Sequence, residues 1–145
     1  NDDSSTLECF TKFKTELTQS GEYLFYNINF LSGLTENPFL AEERISSIEF
    51  GYNQSIILTG SITFPENLLL EELPKNVKMI MPDSSVTMQR ILQKDGNSLS
   101  YRLTLNINKP LYFPDEYPDF KAFFDAVMEM LNEQLVFKKK AHPLP

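Results

Sequence analysis

The residues able to do chemistry in this chain are few, and their placement argues against a catalytic centre. One cysteine, Cys9, and one histidine, His142, stand near opposite ends of the 145 residues. Nucleophilic catalysis would need the thiol within hydrogen-bond reach of the imidazole, with a third group orienting the base. Cys9 falls in a segment that reads as a strand, and His142 in the Pro-flanked tail Ala141-His-Pro-Leu-Pro145, where little would fix a general base. A Ser-His-Asp arrangement would rest on the same His142 and meets the same objection. Cys9 is therefore expected to be a buried small hydrophobe. No catalytic, cofactor-binding or metal-binding residue is assigned, and no cofactor is expected.

Metal sites fail on similar arithmetic. One His and one Cys cannot complete a zinc site, and the carboxylates lack the spacing of an EF-hand loop. Surface Asp side chains with carbonyl oxygens leave only a Ca²⁺ site open. Acidic pairs occur at Glu42-Glu43, Glu71-Glu72 and Asp115-Glu116. Adjacent acids on loops are usually solvated, whereas a glycosidase needs two carboxylates about 5 to 9.5 Å apart across a cleft. The glycines at 21, 33, 51, 60 and 96 are scattered and form no phosphate-cradling loop. Tyr23, Tyr26, Tyr52, Tyr101, Tyr112 and Tyr117 are candidates for stacking on a sugar or gripping a peptide, although core packing accounts for most of them. The corner Tyr112-Phe113-Pro114 reads as a packing anchor.

The elements that would position these groups are mainly strands. Leu7, Cys9, Phe13 and Leu17 share one parity, interleaved with Glu8, Lys12, Lys14 and Glu16, and predict a first strand. Thr18 to Glu22 reads as its turn, and Leu24, Tyr26, Ile28 and Phe30 as one face of the next strand. Ser32-Gly33 closes that hairpin. Leu34 to Ile48 is a connection with room for one helical turn, and an Arg44–Glu49 ion pair is expected near the Phe50-Gly51-Tyr52 corner. Tyr52 to Phe64 is a long strand ended by Pro65, with Gly60 marking a bulge or a close backbone approach. Leu68 to Pro74 reads as a connection to a short strand at Val77, Met79 and Met81.

Val86, Met88 and Leu92 run toward Asp95-Gly96, and Leu99, Tyr101, Leu103, Leu105 and Ile107 run away from it, which predicts a hairpin. Beyond Pro114 and Pro118, the apolar positions Phe120, Phe123, Phe124, Val127, Met130 and Leu131 follow helical spacing. A helix over about 118–133 is expected, then a last strand at Leu135, Val136 and Phe137. About six to eight antiparallel strands and one helix make a β-sandwich, with the helix covering an edge or one open end.

Size and composition fit one domain over residues 1–145, with 1–6 and 139–145 as flexible ends. The hydrophobic share is 41% and the charged share 23%, ordinary values for a globular domain. A net charge of −7, spread along the chain, opposes binding to nucleic acid or to anionic membrane surfaces. Lys138-Lys139-Lys140 reads as a solvated strand terminus. No window approaches the roughly 18 apolar residues of a membrane span. The chain starts at Asn1 without Met, so an excised or processed piece is expected.

The order of signals from Asn37 to Lys139 carries a resemblance. Asn37-Pro-Phe is followed by Glu43-Arg44, Ile48-Glu-Phe-Gly-Tyr52, a strand ending at Pro65, Glu72-Leu-Pro74, the Asp-Gly hairpin, Glu116-Tyr117-Pro118 and Leu135-Val-Phe-Lys-Lys139. The chain resembles the C-terminal β-sandwich domain of unknown function that follows a transglutaminase-like core in exported proteins of Gram-negative bacteria. In such proteins a papain-like core upstream supplies a Cys, His and Asp triad, and none of those residues has a counterpart here. The resemblance implies a non-catalytic accessory domain, excised from a longer protein, that packs against or presents substrate to that core. It also implies a periplasmic or cell-surface location. The alternative is an independent module that binds glycan or peptide.

Overall fold

A computed structural model describes residues 7–140. The strands are β1 (Thr18–Ser20), β2 (Tyr23–Tyr26), β3 (Ile48–Glu49), β4 (Gln54–Thr63), β5 (Leu68–Glu72), β6 (Val77–Ile80), β7 (Val86–Asp95), β8 (Ser98–Ile107), β9 (Leu111–Tyr112) and β10 (Leu135–Lys139). One α-helix, α1 (Tyr117–Asn132), precedes the last strand. The expected mainly-β architecture with a single C-terminal helix is therefore present. The described residues hold ten strands rather than six to eight, because β3 and β9 are two-residue pairings and β5 lies where a connection is expected.

All pairing among the described residues is antiparallel. One sheet has the order β4-β8-β7-β6, a second β1-β2-β10-β5, and β3 pairs with β9 apart from both. The first sheet is built by the long β7–β8 hairpin, in which Asp95 pairs with Ser98 across a Gly96-Asn97 turn. Gly96 has φ +54°, the left-handed conformation such a two-residue turn requires. Period-two alternation then puts Leu99, Tyr101, Leu103, Leu105 and Ile107 on one buried face, with Ser100 and Arg102 on the exposed one.

That buried face has two covers. At one end α1 packs on Val86, Met88, Leu103, Leu105 and Ile107. At the other, Leu135 and Phe137 of β10 join Phe64, Leu68, Leu92, Leu99 and Tyr101. The helix thus covers half of a sheet face, not an edge or an open end. Its buried positions, including Tyr117, Phe120, Phe123, Phe124, Val127 and Leu131, recur every three or four residues and are too apolar to leave at a sheet rim.

Other expectations on local structure are corrected. Residues 7–17 form no strand, and Leu7 and Phe10 are almost fully exposed. β1 offers β2 only three residues, and among the described residues nothing pairs with the chain before it. The second strand stops at Tyr26, where a 3₁₀ turn over Ile28–Leu31 takes over. Asn27 Oδ1 accepts from the Asn29 backbone N–H (2.7 Å), and Asn29 Nδ2 donates to the Leu34 carbonyl (2.8 Å). Short polar side chains that bond their own backbone in this way compete with a ladder. No helical turn forms between Leu34 and Ile48. Arg44 does not pair with Glu49 but donates through Nε to the Ser46 carbonyl (3.1 Å).

Gly60, by contrast, does mark a close approach. It pairs with Tyr101, and a Cβ added there would run into the Tyr101 ring, so the glycine makes room for an aromatic side chain rather than for backbone. At the C-terminus Lys139 closes β10 and the Lys140 N–H donates to the Asn67 carbonyl (2.8 Å), so neither belongs to a loose end. The remaining ends, 1–6 and 141–145, lie outside the described residues.

Candidate functional site

The candidate nucleophile and base are not brought together. Cys9 is exposed in irregular chain rather than buried in a strand, because the strand that would have turned it inward does not form. His142 lies outside the described residues. Among the described residues no group of three His, Cys, Asp or Glu side chains converges in a way that could hold a metal ion. Glu42, Glu43, Glu71 and Glu72 are all exposed, as expected of solvated acids.

Asp115 is exposed too, but Glu116 has a structural task. Its carboxylate pairs with Lys109 Nζ and accepts from the Phe113 backbone N–H (2.9 Å), clasping the β8–β9 connection to the start of α1. The Lys109 hydrogen bond foremost, then that of Phe113, holds the Glu116 carboxyl below its ordinary 4.5, and the same pairing raises Lys109 above 10.5. A carboxyl with a depressed folded-state pKa contributes stability above its unfolded pKa and loses it as pH falls through the folded value. The raised Lys109 contributes below 10.5 and loses its share as pH rises through its own folded value. Glu116→Gln is therefore expected to melt below the wild type at neutral pH. The two melting curves should converge in acid as Glu116 protonates, which a thermal titration would show.

The tyrosines divide into anchors and surface. Tyr112 is fully buried and its hydroxyl donates to Ser85 Oγ (3.0 Å), which in turn donates to Asp83 Oδ1 (2.7 Å). Tyr117 is buried with its hydroxyl on the Ala41 carbonyl (2.8 Å). Tyr112 thus supplies the packing anchor expected of the Tyr112-Phe113-Pro114 corner, whereas Phe113 is exposed. Tyr23 and Tyr52 are exposed, but one sits on β2 and the other in the loop before β4. Tyr23 also carries Lys138 Nζ 5.5 Å from its ring centroid, and Lys138 reaches Glu22 at 3.4 Å.

The remaining pair, Tyr26 and Tyr101, lines a groove that sequence reasoning missed. It has a volume of about 560 Å³ and runs between β4 and the irregular stretch 9–17. One wall is β4 from Leu58 to Thr63, and the other includes Phe10, Lys12, Phe13 and Lys14. Burial pushes both phenols above 10.0, Tyr26 being raised further by Tyr101. A smaller cleft of about 250 Å³, lined by Leu34, Ile56, Leu58 and Leu131 among others, shares Leu58 with the first. No local signal marks this groove, because its walls come from segments about fifty residues apart in sequence.

β4 is an edge strand, hydrogen-bonded among the described residues to β8 alone. Ile56 and Ile57 are 54% and 53% exposed there. No helix among the described residues is long and apolar enough to cross a membrane.

Comparison with known proteins agrees with this architecture. No curated protein matches the chain. A crystal structure described as that of "a putative protease" from Parabacteroides distasonis superposes with a TM-score of 0.63 at 19% identity, over 80% of this chain. The chain spans only 23% of that larger protein, and at this identity the likeness establishes the fold. The family described as a domain of unknown function with solved structure, DUF3858, matches residues 21–137, from the β1–β2 turn through α1 to Phe137 in β10. The chain belongs to the DUF3858 family.

Proposed function

We infer that this domain is a non-catalytic accessory module of a larger, exported protein, packing against or presenting substrate to a transglutaminase-like, papain-like peptidase core in the same polypeptide. The observation that carries this reading is the superposition on 23% of a chain described as "a putative protease". A module of this fold that fills a fraction of such a protein fits a role in serving the remainder of it. On this reading the periplasm or cell surface is its location, and Cys9 and His142 play no part in chemistry. An independent peptide-binding module is the second reading, favoured by the groove beside β4.

The experiment is to assay the purified chain alone for peptide hydrolysis and for glutamine–lysine cross-linking. No turnover above buffer is expected. Turnover that co-purifies with the folded protein and survives removal of contaminants would sink the accessory reading.

A further inference from the structure

We propose that the free edge of β4 is an acceptor for an extended polypeptide strand that carries acidic side chains among uncharged ones, held between β4 and the stretch 9–17. This deepens the substrate-presenting reading and rests on it only for its biological setting.

The first support is the chemistry of the edge. Unpaired strand edges are hazards that proteins usually blunt with short length, charge or proline. Among the described residues the other edges of the two four-stranded sheets follow that rule: β1 has three residues, β6 has four and includes Lys78, and β5 carries Glu71 and Glu72. β4 does not. Its ten residues, Gln-Ser-Ile-Ile-Leu-Thr-Gly-Ser-Ile-Thr, contain no charge and no proline. Every second backbone N–H and C=O of such a strand points away from β8, which is the template used in strand addition.

The second support is the groove itself. A strand added to β4 would lie about 4.7–4.9 Å from it, and the groove is lined by consecutive residues of both parities of β4, Leu58 to Thr63, together with the stretch 9–17. Strand addition recognises backbone, so it takes many sequences and suits a module that hands on extended chain.

Charge then selects among those sequences. The protein carries a net charge of −7, yet the charged side chains lining the groove are Lys12 and Lys14. Neither forms an ion pair among the described residues. A positive rim on an acidic molecule favours a strand whose side chains carry carboxylates, with a preference that salt weakens.

The test uses the full chain and a fluorescent, N-acetylated, C-amidated peptide of alternating Val and Thr with two Glu two residues apart, followed by anisotropy. The blocked ends ensure that side-chain carboxylates are what is read. Saturable binding with half-saturation at or below about 1 mM is expected. Methylating alternate backbone amides of the peptide, or replacing its Glu with Lys, should weaken binding roughly tenfold. Lys12→Glu with Lys14→Glu should reverse the charge preference. Both lysines are exposed in irregular chain, so this variant should melt like the wild type.

Absence of saturable binding, or binding indifferent to methylation or to charge reversal, would overturn the proposal. Its failure is separable from that of the accessory reading. A domain that turns over no substrate and binds no peptide can still serve a core, and one that turns over substrate can still bind a strand.

Discussion

Arg90→Ala is expected to cost about 3–5 kcal/mol of folding stability, and Glu133→Gln less than about 1 kcal/mol. Arg90 is 3% exposed, pointing from β7 into the face that α1 covers. Its Nη1 donates to the Met130 carbonyl (2.7 Å), and its Nε and Nη2 donate to the Lys75 carbonyl (3.1 and 2.6 Å). Nη2 also pairs with Glu133. One guanidinium thus ties the last turn of α1 and the β5–β6 connection to the sheet, with its charge at the negative end of the helix dipole.

Removing Arg90 leaves the Met130 carbonyl with only the long Glu133 N–H bond (3.4 Å), takes both donors from the Lys75 carbonyl and leaves a cavity where the side-chain stem packed. Glu133, whose side chain is 52% exposed, would simply rehydrate. That contrast sets the predicted ranking, and Arg90→Lys should fall between, since an ammonium lacks the fork that spans both carbonyls. Guanidinium unfolding of the three variants checks it. Equal losses for Arg90→Ala and Glu133→Gln would show that the ion pair, not the carbonyl clasp, carries the effect.

Phe120→Ala should cost a similar amount, about 3–5 kcal/mol, at the opposite end of the helix. Phe120 is fully buried, with ring centroids 4.7 Å from Phe39, 4.6 Å from Tyr112 and 4.9 Å from Phe124. It joins three separate segments: the connection after the 3₁₀ turn, β9 and α1. Asn37 reinforces the same junction. Its Oδ1 accepts from the Phe39 N–H (2.8 Å), and its Nδ2 donates to Asp125 on the helix. Against a total stability of about 5–15 kcal/mol, such a loss is a large fraction of what keeps the chain folded and should lower its melting temperature clearly. Circular dichroism melting tests this. Phe120→Leu, which preserves most of the volume, should lose less than half as much.

These contacts also give a physical reason for the motifs that carry the family resemblance. Asn37-Pro-Phe and Glu116-Tyr117-Pro118 are distant in sequence and meet at the start of α1, through Phe39 on Phe120 and through the Tyr117 hydroxyl on Ala41. They are packing signatures, so they identify a fold without identifying a reaction.

What was legible in the sequence follows from the length and cleanness of each pattern. β4 and β8 alternate over ten residues each, and α1 keeps its apolar spacing over sixteen, so their faces could be assigned directly. β5 was missed because Leu68-Leu69-Leu70 is a continuous apolar run between Pro65 and Pro74, with no alternation to read. β3 and β9 hold two residues each and exist through tertiary pairing. Arg90 does carry a signal in the sequence: it shares the parity of Val86, Met88 and Leu92, which puts a charge on the buried face where it needs partners. The groove had none, since it depends on where the stretch 9–17 runs relative to an edge strand distant in sequence.

Whether the domain serves a catalytic core is tested most directly by reading the coding sequence upstream of Asn1. A transglutaminase-like core carrying Cys, His and Asp in the same reading frame is the predicted result. A signal peptide joined directly to Asn1 would contradict it, because a free-standing exported module has no core to serve, and strand binding at β4 would then be the domain's own activity.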